Sequence, residues 1–305
     1  MNLSQMMRSS NNVNTVVIPV AGLGTRLLPA TKAVPKEMLP IVNKPIIQII
    51  MEEIEDAGFK KVLFVTHSSK NSIENHFDKS FELEATLEKR IKRALLKEIR
   101  SVSRLKVSIQ SIRQGETLGL GHAVLCAKPM IENMPFAVVL PDMLIKEDLK
   151  KGINNLRRMR EDYSKSGDSS ILLSRVNKKD ISKYGIVKFK HSSNTKGFLN
   201  LTGMVEKPNL NKAPSNLFAT GRYIFNENFM SYLEKTSVDK NGEIQLTRAI
   251  NSFIKNKNNL KGFMLKGKLF DCGDKLGYAI ANFEYAKTDK EISKDFIKYL
   301  KNNTK

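Results

Sequence analysis

The segment Val17-Ile18-Pro19-Val20 runs straight into Ala21-Gly22-Leu23-Gly24-Thr25-Arg26, and Thr31-Lys32-Ala33-Val34-Pro35-Lys36-Glu37-Met38-Leu39-Pro40 follows soon after. This pattern reads as an apolar strand, a glycine-rich turn and then three cations, Arg26, Lys32 and Lys36, with no acid before Glu37. Glycine opens backbone conformations closed to other residues and lets main-chain N–H groups approach a phosphate. The cations supply the charge that a polyphosphate demands. The run therefore predicts a nucleoside triphosphate site at the end of a strand.

What is missing narrows the site. No Gly-x-x-x-x-Gly-Lys-Ser/Thr run occurs, so a P-loop is excluded. A dinucleotide fingerprint needs a third glycine opening a helix, and Thr25, Arg26 and Pro29 do not provide one. A bare Gly-x-Gly is an ordinary turn. The extended Gly-x-Gly-Thr-Arg…Pro-Lys-Glu-Met-Leu-Pro run resembles the opening motif of sugar-1-phosphate nucleotidyltransferases.

Periodicity gives the architecture. Strands are expected at Thr15–Val20, Lys61–Thr66, Lys106–Gln110, Phe136–Leu140 and Ser170–Val176. A helix should run from Lys44-Pro45 to about Ala57, closed by Gly58. Another should span Phe81–Arg100, where Leu83, Leu87, Ile91, Leu95 and Ile99 form one apolar stripe read as core packing. Such alternation argues for a mainly parallel sheet with helices on both faces, and for ligands at the carboxyl ends of its strands. After Ser170 the texture changes to short strands (Tyr184–Lys190, Gly203–Glu206, Thr220–Phe225) and then helices at Glu227–Lys235, Ile244–Ile254 and Lys275–Lys287.

At 305 residues and 41% hydrophobic content, one compact domain with a substantial core is expected. No apolar run is long enough for a membrane span, and Met1–Asn14 lacks the apolar region of a secretory signal. Cys126 and Cys272 are far apart and are read as reduced thiols, which suits a cytoplasmic protein. The four histidines show no metal-type spacing. The formal charge of +20 raises a basic nucleic-acid-binding protein as a rival. The lysines are spread along the whole chain and few aromatics accompany them, so no specific nucleic acid is expected.

Several residues carry candidate chemistry. Asp142 emerges behind the apolar run Phe136–Leu140 and Pro141, placed to hold Mg²⁺ against phosphate oxygens. Asp271 follows Leu269-Phe270, and the two would make a metal site if they converge. Gln114 opens the loop through Gly119 and Gly121, and its amide can match the imide edge of a pyrimidine. His122 has no adjacent nucleophile or base and is read as supporting structure. Glu206 and Lys207 are neighbours at a strand end, where side chains diverge, so a carboxylate for sugar hydroxyls and an ammonium for a sugar phosphate fit better than an ion pair. Tyr184-Gly185 and Gly221-Arg222-Tyr223 offer glycines on which a flat ring could lie.

Further segments extend the resemblance along nearly the full length: Thr66–Asp78, Gly119-Leu120-Gly121-His122-Ala123-Val124, Ala213–Leu217, Gly242-Glu243-Ile244-Gln245-Leu246-Thr247 and Asp271-Cys272-Gly273. The chain thus resembles the bacterial UTP–glucose-1-phosphate uridylyltransferases. The resemblance implies a Rossmann-like nucleotidyltransferase core with a smaller mixed sugar-binding part. The nucleotide-binding part would be residues 13–170, and residues 171–290 would bind the sugar phosphate and mediate assembly into a homodimer or homotetramer. It implies UTP and glucose 1-phosphate as substrates, Mg²⁺ as cofactor, and UDP-glucose and pyrophosphate as products. By matched positions, Ala21, Gly22, Gln114 and Gly119 would hold the nucleoside, with Gly24 and Thr25 also binding the nucleotide. Arg26 and Lys36 would bind the triphosphate, and Asp142 and Asp271 the metal. Gly185, Glu206, Lys207 and Tyr223 would form the sugar-phosphate site, with Arg26, Lys36 and Lys207 carrying catalysis. One position departs: Arg248 stands where the family usually has Asp. Thymidylyl or cytidylyl transfer to the same sugar phosphate remains the alternative within this chemistry.

Overall fold

The computed structural model describes residues 12–147, 152, 154–190 and 197–303. Its strands, in chain order, are β1 (Thr15–Pro19), β2 (Pro40–Ile41), β3 (Lys44–Pro45), β4 (Lys61–Thr66), β5 (Ser108–Arg113), β6 (Phe136–Val139), β7 (Met143–Lys146), β8 (Ser169–Arg175), β9 (Gly185–Lys190), β10 (Phe198–Glu206), β11 (Leu217–Phe225), β12 (Leu260–Met264) and β13 (Lys268–Asp271). Nine of them form one sheet in the order β5-β4-β1-β6-β11-β8-β12-β10-β9.

The first four strands of that order are mutually parallel, as alternating strands and helices require. Beyond β6 the sheet is mixed, because β11 enters antiparallel between β6 and β8, and β9 and β10 pair as antiparallel neighbours at the far edge. β7 and β13 stand apart as a two-stranded antiparallel ribbon in which Met143 faces Asp271. The reversal of β11 shapes the site, since it brings Arg222 beside Val139 at the carboxyl end of β6.

Central strands read as unbroken apolar runs because both sheet faces are covered. Val16, Ile18, Phe64, Ala137 and Val139 face one core, which the helix Ile46–Asp56 closes. Val17, Leu63, Val65, Phe136 and Val138 face the other, shared with Phe225, Phe229 and Phe253. Period-two alternation thus feeds two cores from one set of strands.

Three sequence expectations change. β5 lies over Ser108–Arg113 rather than Lys106–Gln110, which carries its end to the loop of Gln114. The segments at Gly203–Glu206 and Thr220–Phe225 are the tails of nine-residue strands. The single helix expected over Phe81–Arg100 is two helices, Phe81–Lys89 and Arg93–Val102, separated where Ile91 takes φ 55°. No residue of either helix is buried, and Ile91 is 74% exposed. The expected core stripe is therefore a surface hairpin: the turn breaks its line, no core layer covers it among the described residues, and Arg100 ties it to itself through Glu84 at 2.7 Å.

Hairpin and core should respond differently to substitution. Ile91→Ser should change unfolding free energy by less than about 0.5 kcal/mol, as for an exposed site. Phe225→Ala, which removes a fully buried ring stacked on Phe229, should cost about 3–5 kcal/mol. Urea unfolding followed by circular dichroism measures both; equal losses would contradict the assignment of the hairpin to the surface.

Candidate active site

A cavity of about 440 Å³ opens over the carboxyl ends of β1 and β6. Ala21, Gly22, Arg26 and Lys36 line it from the glycine turn, Gln114 and Gly119 from the second loop, and Asp142 from the end of β6. Gly185, Glu206, Lys207 and Tyr223 line it from the second half of the chain. Gly24 and Thr25 are not in the wall. Gly24 takes φ 68° immediately before the short 3₁₀ turn Thr25–Leu27, shaping the loop that presents Arg26. Asp271 is also outside the wall; Tyr184, which does line the cavity, donates its hydroxyl to Asp271 Oδ2 at 2.8 Å.

Sequence reasoning missed Thr117, Lys183, Met204, Glu243, Gln245 and Thr247, which also line the wall. The signal for the last three was present in the resemblance of Gly242–Thr247, but only the fold brings that segment to the loop of Gly119. Ile244 N–H donates to the Leu118 carbonyl at 2.8 Å, and Gly121 N–H to the Ile244 carbonyl at 2.9 Å. A Cβ on Gly121 would stand 2.4 Å from that carbonyl oxygen, so the close pairing of these segments requires glycine. Thr247 donates to Glu206 Oε2 at 2.6 Å and fixes its carboxylate. Arg248, the departure from the family pattern, is exposed and donates to the Val238 carbonyl at 3.3 Å, outside the cavity wall.

Glu206 and Lys207 do not diverge as a regular strand would dictate. The backbone turns to φ 43° at Lys207, just after β10 ends, and this brings Lys207 Nζ to 3.9 Å from Glu206 Oε1. That separation is too long for a hydrogen bond, so both groups keep bonding capacity for a ligand.

The charges at the cavity floor are paired. Lys36 Nζ lies 2.7 Å from Asp142 Oδ2. Burial alone would lower the Lys36 ammonium, but Asp142 and then Glu37 outweigh it and hold it above its ordinary value. Burial would likewise raise Asp142; Lys36 overrides it and keeps the carboxyl below the usual range. Beneath them Lys70 meets Glu37 at 3.1 Å, both buried, which locks the turn carrying Lys36.

Asp142 and Asp271 converge on Gly273: a Cβ there would stand 2.9 Å from Asp271 Oδ1 and 3.3 Å from Asp142 Oδ2. Burial raises Asp271, and the charge of Asp142 adds to the rise. Two neighbouring carboxylates of this kind fit a hard divalent cation. Among the described residues no group of three or more His, Cys, Asp or Glu could hold a metal. A cation here would complete its shell with water and phosphate oxygens, the habit of Mg²⁺.

Arg222 holds the loop that carries Asp142. Fully buried, it donates to both oxygens of Glu53 at 2.9 and 2.7 Å, to the Leu140 carbonyl at 3.2 Å and to the Met143 carbonyl at 2.8 Å. The last two carbonyls bracket Pro141-Asp142.

Residues 15–288 match the family model described as nucleotidyl transferase. The UTP–glucose-1-phosphate uridylyltransferase of Haemophilus influenzae is 47% identical over 297 residues, covering 95% of this chain and 98% of that protein. The enzyme of the same name from Escherichia coli is 46% identical over 299 residues, 97% of each chain. Among solved structures, the UTP-bound UGPase from Acinetobacter baumannii matches with a TM-score of 0.87 at 43% identity, covering 96% of this chain and all of that one.

Removing Arg222 should disturb both stability and the Asp142 loop. Arg222→Met leaves Glu53 as an uncompensated buried charge and should cost about 3–5 kcal/mol in unfolding free energy. Arg222→Met combined with Glu53→Met should recover most of that loss, as replacement of a whole buried pair does. A double-mutant cycle by chemical denaturation checks this; additive losses would show that the pair is not coupled.

Proposed function

The chain belongs to the nucleotidyl transferase family, and we propose from this premise that its cavity transfers the uridylyl group of UTP to glucose 1-phosphate, giving UDP-glucose and pyrophosphate. One observation carries the reading: Arg26 and Lys36 from the glycine turn and Lys207 from far along the chain line one cavity together with Asp142. That is the equipment needed to align two polyanions that repel each other.

The reaction is an in-line displacement. A phosphate oxygen of glucose 1-phosphate attacks the α-phosphorus of UTP, the P–O bond to the β-phosphate breaks, and pyrophosphate departs with the electron pair. The nucleophile is already an anion, so no side chain has to remove a proton. This accounts for cations and carboxylates in the wall without a Ser–His or Cys–His pair.

In this reading Ala21, Gly22, Gln114 and Gly119 seat the nucleoside, and Arg26 and Lys36 take the triphosphate. Lys207 takes the phosphate of glucose 1-phosphate, while Gly185, Glu206 and Tyr223 seat the sugar. Asp142 and Asp271 are the residues that would hold Mg²⁺, which when bound offsets charge on the phosphates. Lys36 then has two partners available, Asp142 and the triphosphate.

Residues 13–170 serve as the nucleotide part and residues 171–290 as the sugar-phosphate part of one domain. A cytoplasmic homodimer or homotetramer belongs to the same proposal. It is supported by the exposed apolar row Leu276, Ile280 and Phe283 on the helix Lys275–Ala286.

Pyrophosphate release with glucose 1-phosphate, Mg²⁺ and each nucleoside triphosphate in turn tests the activity. UTP should give the highest kcat/KM; equal values for dTTP or CTP would favour the alternative donors. Asp142→Asn should lower turnover by orders of magnitude with the fold intact, each tenfold loss being about 1.4 kcal/mol of barrier. Near-normal turnover at subsaturating Mg²⁺ would remove Asp142 from the metal site.

The two cations should divide their labour. Lys207→Ala should raise the apparent KM for glucose 1-phosphate about tenfold to hundredfold with little effect on that for UTP, the loss of charge-assisted hydrogen bonds of roughly 1.5–3 kcal/mol. Arg26→Ala should chiefly lower the forward rate, because charge grows on departing pyrophosphate. The same pattern in both variants for every substrate would mean one shared anion field.

A further inference from the structure

His122 plays no part in the displacement, yet it sits directly behind the side chain expected to meet the base. Gln114 is 4% exposed and lines the cavity; its Nε2 lies 3.0 Å from His122 Nδ1 and 3.4 Å from the Gly119 carbonyl oxygen. A carbonyl oxygen only accepts, so the group facing Gly119 must be the amide NH₂. At 3.4 Å this contact identifies which end of the amide is the NH₂, and the shorter 3.0 Å contact to His122 Nδ1 is the stronger hold on it.

The histidine tautomer follows. With Gln114 Nε2 donating to it, Nδ1 must be the acceptor, which puts the ring proton on Nε2. His122 Nε2 lies 3.9 Å from Cys126 Sγ, one helical turn further along Gly119–Cys126. A thiol sulfur is a weak acceptor, so this contact is compatible with an Nε2–H donor. The order runs Cys126 sulfur, His122 ring, Gln114 NH₂. Both amide hydrogens of Gln114 are then committed away from the base, leaving Oε1 as the atom it can offer to a ligand.

We infer that His122 is the positioning residue that sets nucleobase specificity, by holding Gln114 with its carbonyl oxygen, not its NH₂, toward the base. An acceptor there takes the N3–H of uracil. Cytosine has a lone pair at N3, so the same oxygen meets another acceptor and CTP is rejected. Were the amide free to turn over, its NH₂ would suit cytosine N3, and the distinction would weaken. Sites whose buried polar groups are left mismatched discriminate strongly, which makes amide orientation a sufficient device. The inference rests on the reading of Gln114 as the base-binding residue.

The test measures kcat/KM for UTP and for CTP, with glucose 1-phosphate saturating, in the unaltered protein and in His122→Phe and His122→Asn. Phenylalanine keeps a ring of similar size but has no acceptor, and the UTP-to-CTP ratio should fall about tenfold or more, in part through a gain with CTP. Asparagine offers Oδ1 near the place of Nδ1, and the ratio should return to within a few fold of the original. The KM for glucose 1-phosphate should stay unchanged in both. An unaltered ratio in His122→Phe, or equal losses with the two nucleotides, would overturn the inference and leave a packing role only. If the unaltered protein does not prefer UTP to CTP, the reading of Gln114 fails and the inference falls with it. If His122→Phe does not fold, His122→Leu substitutes for it, with the same ratio deciding.

Discussion

The site depends on a buried ion pair that lies outside the cavity wall. Arg222 and Glu53 meet through two hydrogen bonds, and the rest of the guanidinium spans the carbonyls on either side of Pro141-Asp142. A guanidinium suits this position because its planar fork donates in several fixed directions at once. A buried pair of this kind contributes little to net stability relative to an apolar replacement, whereas loss of one member is severe. What it supplies is position. The β6 loop, the helix Ile46–Asp56 and the reversed strand β11 are held in one relation, and Asp142 faces the cavity as a result.

Above that anchor the charges are arranged in two tiers. Lys70 and Glu37 are buried and tie down the turn, while Lys36, the residue before Glu37, meets Asp142 at the cavity floor. Lys36 and Asp142 each hold the other in its charged form against the penalty of burial. The protein therefore presents a cation and an anion at the floor of a partly dry cavity, already oriented by each other.

The wall also unites distant segments through backbone contacts. Leu118 and Gly121 pair with Ile244, Lys207 N–H reaches the Tyr184 carbonyl at 3.1 Å, and Cys272 N–H reaches the Asp142 carbonyl at 2.8 Å. These links place the neighbours Glu243, Gln245 and Thr247 beside the nucleotide loop, and Asp271 beside Asp142. The site is one object because its loops are hydrogen-bonded to each other, not because any loop is rigid alone.

The sequence by itself determined the strand-turn-cation run at Val17–Lys36, the parallel strands β1, β4 and β6, and the two aspartates at strand ends. These are local matters: apolar alternation, glycine where the backbone needs it, and charge where no acid offsets it. Its helical stripe at Phe81–Arg100 was a true periodicity, but periodicity cannot say whether another layer lies over it, and no residue of the two helices is buried among the described residues. Only the tertiary structure decided that β11 runs against β6 and so delivers Arg222. It alone turned Lys207 back toward Glu206 and set His122 against Gln114, contacts that depend on φ, register and packing between residues with no signature in one chain. Pairings across the sheet are chosen by how buried faces fit together, and that fit is a property of the assembled fold.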